Sequence, residues 1–271
     1  MKYEVGVVGR GVVGDAIYEG MKDLGHRVCF HDIKFEGSKL INILNSDVVF
    51  ICVPTPPNKD GECDISIVTE VIEQISHLNY KGIICIKSTV TPGTTDRLQE
   101  KYKNSNICFV PEFLRERCAL QDFKNNHDVC LIGTSCKKTY QTIKDVHGSY
   151  PQKFRMTSAK EAEMSKYFNN VYNATLITFA NSIYEICKEL NINYTNVKNA
   201  VVNRDHINDV YLDCNEDLRG FGGMCLPKDT SNLASIVKNK KLPIKFFECI
   251  IEENKKYKTT VFKGMRKKWK L

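Results

Sequence analysis

The feature that most constrains the fold is a glycine-rich segment near the N-terminus, between a β-rich run and a helical stretch. Residues 3–8 read YEVGVV, GRGVVG follows from Gly9 to Gly14, and a helical stretch extends to about Leu24. Strand, GxGxxG and helix in this order are typical of a dinucleotide-binding βαβ unit. Gly9 allows a tight turn, Gly11 lets the backbone approach a pyrophosphate, and Gly14 lets the helix pack closely on the strand.

A carboxylate after the second strand indicates which dinucleotide is bound. This strand is predicted at residues 27–30, and Asp32 follows it, 18 residues beyond Gly14. A carboxylate here accepts hydrogen bonds from the ribose hydroxyls and repels a 2′-phosphate, which favours NAD over NADP. Lys34 is the nearby feature that would suit NADP instead, and Asp32 could simply end the strand.

Polar residues follow several of the later predicted strands. The strand at 47–53 is almost continuously apolar, as is typical of a parallel strand buried on both faces. A helix at 65–78 follows, then strands at 82–87, 107–110 and 129–132 and an irregular segment to residue 157. Ligands bind at the carboxyl ends of the strands in open α/β sheets. An active-site edge is therefore predicted at Thr55, Thr89, Glu112 and Glu116, although any one of them could be a helix cap.

The second half of the chain is helical in pattern. Ser158–Glu161 (SAKE) is a capping box, and the run that follows has no Pro or Gly to about residue 190, longer than the usual ~10–14 residues. Further helices are predicted at 194–202, 231–237 and 244–258. The predicted fold class is α/β: a Rossmann-like doubly wound parallel sheet, then an all-helical domain with a long spine helix. The predicted divisions are 1–157, 158–258 and a basic C-terminal end at 259–271.

One cysteine is a candidate nucleophile. Cys225 lies in RGFGGMCLPKDT, a turn-forming segment with Gly220, Gly222, Gly223 and Pro227, and Lys228 and Asp229 follow it directly. A cation beside a thiol favours the thiolate, and a neighbouring carboxylate can serve as a base. The alternative is that Cys225, one of 12 cysteines, is a small buried hydrophobic residue.

The cysteine and histidine pattern excludes some classes of site. There is no CxxC pair, and the six histidines are scattered, which argues against a zinc site and against a disulfide framework. A reducing, cytoplasmic location is therefore expected. No apolar run approaches the ~20 residues of a membrane helix. The apolar N-terminal run is too short for a signal peptide.

The positive charge is concentrated at the end of the sequence. The formal net charge is +7, and residues 254–271 contain no acidic residue. The basic residues there are Lys255, Lys256, Lys258, Lys263, Arg266, Lys267, Lys268 and Lys270. The rest of the chain is close to neutral, so no nucleic-acid partner is expected, and a solvated terminus explains the basic end.

Six segments, in order, resemble the nucleotide-sugar dehydrogenases, the family of UDP-glucose 6-dehydrogenase. They are GRGVVG (9–14), VPTPP (53–57), KSTVTPGTT (87–95), PEFLRERCALQDF (111–123), EMSKYFNN (163–170) and GFGGMCLPKDT (220–230). The resemblance extends over about residues 3–258. The ending PKD, in place of VDP, indicates the UDP-glucose and GDP-mannose branches over the N-acetylmannosamine branch.

The resemblance implies a twofold oxidation of a sugar C6 alcohol to a carboxylate with two NAD. Cys225 would capture the intermediate aldehyde as a thiohemiacetal, a thioester would follow, and water would release the acid. Lys166 and Asn170 would stabilise the oxyanion. Asp229 would assist proton transfer, and Glu116 with Thr89 would position the hydrolytic water.

The resemblance also implies binding residues and partners. Substrate binding is assigned to Glu112, Phe113, Leu114, Arg115, Gly222 and Lys228. Cofactor binding is assigned to Gly9, Gly11, Val12, Val13, Gly14, Asp32, Val53, Pro54, Thr55, Thr89 and Glu116. A nucleotide sugar, UDP-glucose first, is the expected substrate. A homodimer is expected through the spine helix.

Three departures from the family pattern leave alternatives open. Family members usually continue with a second α/β domain, whereas this sequence ends at Leu271; the segment between Asp32 and Asp47 is short; and Asp205-His206-Ile207 stands where the family has Asp-x-Arg-Ile. One alternative is a non-catalytic or split NAD-binding protein that needs a partner. Another is a GDP-mannose-type dehydrogenase. A small hydroxyacid dehydrogenase is disfavoured, since its single hydride step requires no cysteine.

Overall fold

The computed structural model describes residues 1–257, so the basic end predicted at 259–271 lies outside the described residues. The chain divides into two compact units. Unit 1 comprises residues 1–56 and 63–166, and unit 2 comprises residues 57–62 and the chain from Tyr167 onward. The division falls within one helix, whereas the boundary predicted from the sequence at residue 157 precedes that helix and stays a prediction.

Unit 1 contains a seven-stranded sheet in the order β2-β1-β3-β4-β5-β6-β7. Its strands are β1 (Glu4–Val8), β2 (Arg27–His31), β3 (Val48–Ile51), β4 (Ile83–Ile86), β5 (Asn106–Phe109), β6 (Val129–Gly133) and β7 (Lys153–Thr157). Neighbouring strands are parallel except β5 and β6, which pair antiparallel where Phe109 lies opposite Gly133. The predicted α/β fold is confirmed, and the sheet is mixed instead of wholly parallel.

Helices cover both faces of this sheet. They are α1 (Val12–Asp23), α2 (Ser66–His77), α3 (Thr94–Lys101), α4 (Ala119–Asn125) and α5 (Lys137–His147). The central strand β3 is fully buried, and its alternate residues contribute to two different cores: Val48 and Phe50 to one, Val49 and Ile51 to the other. Its continuous apolar sequence thus reflects burial on two sides.

The segment predicted to be irregular, residues 133–157, instead contains α5 and β7. The buried side chains of α5 are Thr139, Ile143, Val146 and His147, at helical spacing. Two of the four are polar, so the apolar stripe that would have revealed the helix is incomplete. Strand β7 lies at the edge of the sheet and is largely exposed, so it lacks an apolar run.

Long helix α6 (Ala159–Glu189) has 31 residues and begins in unit 1, which confirms the predicted spine helix. Its capping box is formed: the N–H of Ser158 donates to Glu161 Oε2 at 3.0 Å, and the N–H of Glu161 donates to Ser158 Oγ at 3.3 Å. Within residues 1–257, none of the helices is both long and apolar enough to cross a bilayer.

Unit 2 contains most of α6 together with α7 (Tyr194–Val201), α8 (Leu226–Asn239) and α9 (Phe246–Lys255). Helix α8 begins five residues earlier than the predicted start at residue 231. Pro227 occupies its first turn, where a missing N–H is tolerated. Cys225 is consequently the N-cap residue of α8 instead of a member of a free turn.

Candidate active-site residues in two units

The glycine-rich loop of unit 1 has the geometry of a dinucleotide-binding turn. Gly9 has φ +91°, and a Cβ there would lie 2.7 Å from the carbonyl oxygen of Cys52. A Cβ at Gly14 would lie 1.8 Å from the carbonyl oxygen of Gly9. Around Gly11, the N-cap of α1, a Cβ would meet nothing within 4 Å, so the space beside the helix N-terminus is open. A pyrophosphate fits at such an N-terminus.

Asp32 follows β2 and borders this loop. Its carboxylate accepts hydrogen bonds from the main-chain N–H of Arg10 at 2.6 Å and of Lys34 at 2.8 Å. The side chain of Arg10 is directed to α1, where it pairs with Asp15 and stacks at 3.8 Å on the ring of Tyr18. The carboxylate is therefore fixed at the loop, as ribose recognition requires.

The remaining predicted cofactor residues belong to the same unit. Val12 and Val13 form the start of α1, and Val53, Pro54 and Thr55 follow β3 after one intervening residue, Cys52. Thr89 follows β4, and its carbonyl oxygen accepts a hydrogen bond from the Cys63 thiol at 3.2 Å. Glu116 begins a 3-10 turn, Glu116–Cys118.

A buried ion pair, which the sequence interpretation missed, lies after β4 and β5. Lys87 Nζ is 2.8 Å from Glu112 Oε2, and the two side chains are 0% and 4% exposed. Burial has the largest single effect and opposes the charge on Lys87, but the Glu112 carboxylate together with the thiols of Cys85 and Cys130 outweighs it, and the pKa of Lys87 is raised. The sequence feature that could have indicated this buried ion pair is the position of Lys87 directly after the apolar strand IICI.

Lys166, on α6, is also held by Glu112, but through the main chain. Its ammonium donates a hydrogen bond to the carbonyl oxygen of Glu112 and lies 5.8 Å from the centre of the Phe113 ring. The side chain is largely buried. Unit 1 therefore brings together three predicted residues, Glu112, Phe113 and Lys166, and adds Lys87.

The PEFLRE segment is anchored by an aspartate beyond its end. Arg115 donates to Asp122 from its main-chain N–H and Nε, both at 2.9 Å, and from a terminal guanidinium nitrogen at 2.6 Å. These hydrogen bonds hold the pKa of Asp122 well below its usual value, against the effect of burial. Leu114 packs against the core of the sheet. The Arg115 side chain is thus engaged within the protein, although the family resemblance assigned this residue to substrate binding.

In unit 2, Cys225 is exposed and precedes a buried polar cluster. Asp229, in the first turn of α8, is 0% exposed. Its carboxylate accepts hydrogen bonds from Asn170 Nδ2 and from Lys228 Nζ, each at 2.5 Å. Unit 2 thus brings together three predicted residues beside the N-cap cysteine. A helix N-terminus favours negative charge.

Two asparagines, neither of them predicted, hold the loop before Cys225. Asn181 Oδ1 accepts from Arg219 Nε at 2.8 Å and from the N–H of Gly220 at 3.2 Å. Asn254, on α9, binds both main-chain groups of Phe221: its Oδ1 accepts at 2.8 Å and its Nδ2 donates at 2.9 Å. Gly220 and Gly223 have positive φ. Single asparagines far from the motif carry no pattern by which the sequence could have revealed them.

A cavity of about 690 Å³ in unit 2 is separate from these groups. Its charged lining is internally paired, with Lys188 2.7 Å from Glu216 and Lys256 2.6 Å from Glu253. None of the predicted site residues lines it. Among residues 1–257, no cluster of three or more His, Cys, Asp and Glu side chains suits a metal ion.

Comparison with known proteins identifies the family. Residues 34–150 match the NAD-binding domain of the UDP-glucose/GDP-mannose dehydrogenase family, and residues 160–256 match its central domain. The chain belongs to this family. The glycine-rich loop precedes the first matched range, and its open N-terminal cradle and fixed Asp32 fit NAD, the cofactor of the family's NAD-binding domain.

Similar proteins carry the same family name. The chain is 31% identical to a UDP-glucose 6-dehydrogenase of Rickettsia prowazekii, over 88% of this chain and 56% of the relative. It is 33% identical to one of Bacillus subtilis, over 90% of this chain and 54% of the relative. The chain thus spans about half the length of these curated relatives.

A solved structure extends the comparison to the fold. A UDP-glucose dehydrogenase from Pyrobaculum islandicum superposes with a TM-score of 0.86 at 26% identity, over 94% of this chain and 68% of that one. A 3-hydroxyisobutyrate dehydrogenase of Mycobacterium tuberculosis, at 14% identity and a TM-score of 0.73, shares the fold alone.

Proposed function

We propose that this chain catalyses the NAD-dependent twofold oxidation of a nucleotide-sugar C6 alcohol to the carboxylate, with UDP-glucose as substrate. The observation that carries the proposal is the start of α8, where exposed Cys225 precedes an Asp229 carboxylate fixed between Asn170 and Lys228. A single alcohol oxidation needs no thiol, whereas oxidation to an acid through a covalent intermediate does. The names of the relatives add support.

The proposed reaction proceeds through two covalent states of Cys225. NAD, when bound, accepts a hydride in each of the two oxidations. The thiolate adds to the aldehyde carbon, a C–S bond forms, and the carbonyl electron pair moves to oxygen, which takes up a proton to give a thiohemiacetal. After the second oxidation the thioester is attacked by water, the C–S bond breaks, and the thiol is released with the carboxylate.

Each remaining residue has a proposed role. Lys166 and Asn170 donate hydrogen bonds to the oxyanion. Asp229 assists proton transfer, and Glu116 with Thr89 positions the hydrolytic water. Substrate binding is assigned to Phe113, Gly222 and Lys228 and to the main chain of Glu112, Leu114 and Arg115, because the side chains of Glu112 and Arg115 are paired with Lys87 and Asp122. Reduced Cys225 is required, which agrees with a reducing compartment such as the cytoplasm.

We further propose a homodimer that forms through α6. Five large side chains of unit 2 are exposed along this helix and its end: Phe168, Tyr172, Phe179, Ile186 and Leu190. At 100° per residue they fall within a 40° arc, which makes a narrow stripe about 33 Å long. The rings of Phe168 and Tyr172 stack within it. A straight apolar stripe suits the same stripe of a second copy.

The decisive experiment measures NADH formed per UDP-glucose, comparing the wild-type chain with Cys225→Ser. Two NADH per sugar in the wild type, and loss of complete turnover in the variant, are expected. GDP-mannose serves as the alternative substrate. If NAD binds yet no nucleotide sugar yields NADH, the proposal fails. A non-catalytic or partner-dependent NAD-binding protein would then be favoured.

A further inference from the structure

Two lysines bind the same residue of unit 1 from different sides. Lys87 pairs with the side chain of Glu112, at 2.8 Å, and Lys166 donates a hydrogen bond to the main-chain carbonyl of Glu112. The first contact fixes the carboxylate, and the second connects the adjoining peptide group to the ammonium on α6. Glu112 therefore links Lys87 to Lys166.

Lys87 is a rigid anchor for this link. It directly follows β4, and its main-chain N–H donates to the carbonyl of Ile51 on β3 at 2.9 Å, so its Cα is fixed by the sheet. Its ammonium is fully buried, 5.8 Å from the centre of the Phe50 ring. The other titratable groups that interact with it are the thiols of Cys52, Cys85 and Cys130 and the imidazoles of His127 and His147. A buried ammonium needs a carboxylate close by, so the Glu112 side chain is restrained.

We propose that Lys87 is a positioning residue for Lys166. By holding the Glu112 carboxylate, Lys87 fixes the Glu112–Phe113 peptide, and the carbonyl of this peptide orients the Lys166 ammonium. That hydrogen bond uses one of the three donors of the ammonium, and its direction sets where the other two point. The inference rests on the proposed function, in which Lys166 contacts the reacting oxygen.

Glu112 therefore has a different role from direct contact between its carboxylate and the substrate. The family resemblance assigns this glutamate to substrate binding, whereas its carboxylate is 4% exposed and paired with Lys87. On the present inference Glu112 acts through its main-chain carbonyl, and its side chain acts only to keep that carbonyl in place. Placement matters because a small displacement of a catalytic group lowers the rate strongly.

An ion pair that only stabilises unit 1 and an ion pair that positions Lys166 predict different states of Lys166 when both charges of the pair are removed. Lys87→Met leaves the Glu112 carboxylate buried without its partner and is expected to destabilise unit 1 strongly. The double variant Lys87→Met/Glu112→Leu replaces both charges with apolar groups, which commonly retains stability. If the pair only stabilises unit 1, the double variant restores the wild-type state of Lys166. If the pair positions Lys166, the double variant folds but Lys166 is released.

The test labels amines of the full chain with an acylating reagent at one fixed pH, and the labelled Lys166 peptide is quantified by mass spectrometry. Thermal unfolding and NAD binding verify that each variant is folded. Lys101→Met, which removes an exposed lysine 3.5 Å from Glu73 in the same unit, is the control. In the double variant, labelling of Lys166 is expected to rise about tenfold, as for loss of a hydrogen bond to a charged group. The control should leave it unchanged.

Wild-type labelling of Lys166 in a folded double variant would overturn the proposal. Turnover gives a second measurement: kcat with UDP-glucose should fall in the double variant while KM for NAD stays constant. The labelling result does not require turnover. Absence of NADH from the wild-type chain would therefore count against the proposed function, while increased labelling in the double variant would still support the link from Lys87 to Lys166.

Discussion

Asn170 donates a hydrogen bond to Asp229 across the 59 residues that separate them in sequence. The acceptor is fully buried, and its other oxygen is held by Lys228. Each carboxylate oxygen of Asp229 therefore accepts a hydrogen bond, and the two hydrogen bonds fix the orientation of the carboxylate. The carboxylate that follows Cys225 by four positions is set in place before any substrate binds, as expected for a preorganised group.

Replacing Asn170 with leucine should lower kcat strongly and lower the free energy of unfolding moderately. The loss of one preorganised donor is expected to lower kcat about 100-fold. It should lower the free energy of unfolding by about 2 kcal/mol, since a hydrogen bond to a charged group is lost. Steady-state kinetics and urea unfolding check both values. Asn196→Leu, at an exposed position of α7, is the matched control. Unchanged kcat in a destabilised Asn170→Leu protein would make Asn170 purely structural.

Two glycines of the nucleotide loop should respond differently to alanine. In Gly11→Ala the new Cβ enters open space, so the free energy of unfolding should change by less than about 1 kcal/mol. NAD affinity should nevertheless fall about tenfold or more, since the methyl group occupies the place of the pyrophosphate. In Gly14→Ala the Cβ would collide with the Gly9 carbonyl, and stability should fall by about 3 kcal/mol. Calorimetric NAD titration and thermal unfolding measure both. Equal NAD affinity of Gly11→Ala and wild type would contradict the assigned site.

Asp122 should make unit 1 sensitive to acid. Hydrogen bonds from Arg115 hold its folded-state pKa below the ordinary 3.8, so its contribution to stability is complete above that pH and is lost as the pH falls further. The Asp122→Asn substitution should lower the free energy of unfolding by about 2 kcal/mol at neutral pH. The stability of this variant should then depend less on pH between about 5 and 2 than that of wild type.

Urea unfolding across this pH range tests the dependence on Asp122. Asp128→Asn is the control, because Asp128 is exposed and accepts a hydrogen bond from the neighbouring N–H of Val129. The same acid slope in Asp122→Asn and in wild type would show that the Arg115 contacts do not stabilise the carboxylate.

A charge in the apolar stripe of α6 should dissociate the proposed dimer. Phe179 is 58% exposed in the single chain and lies midway along the stripe. Phe179→Glu would place a carboxylate in the interface without a partner, so light scattering should give the mass of one chain instead of two. Val197→Glu, an exposed apolar position on α7, is the control and should remain dimeric. A wild-type chain that is monomeric at every concentration would refute the proposed interface.

The sequence predicted the elements whose residues show a strong local pattern. Strand β3 is apolar throughout because both of its faces are buried, and α6 has an uninterrupted helical run with a complete capping box. Helix α5 was missed because Thr139 and His147 complete its buried face. Thr139 hydrogen-bonds Asn106 of β5 and the His147 ring packs against Phe50 of β3, contacts that only the folded sheet supplies.

The candidate site was predictable wherever one short motif contained it. The glycine loop and the segment around Cys225 are of this kind. Lys87 and Asn254 were missed because their partners, Glu112 and Phe221, are 25 and 33 residues away in sequence, and only the tertiary structure brings them together. The antiparallel junction of β5 and β6 was missed for the same reason, since strand direction is not encoded in either strand alone.

The hydrogen bonds between Asn254 and Phe221 also determine when the loop before Cys225 can become ordered during synthesis of the chain. During synthesis the chain emerges N-terminus first, so Cys225 leaves the ribosome well before Asn254 does. Until α9 has formed, the Phe221 main chain lacks the two hydrogen bonds that hold the loop. The loop that carries the proposed nucleophile, Cys225, is thus completed only when nearly the whole described chain has been made, and a nascent chain exposes this thiol before its loop is fixed.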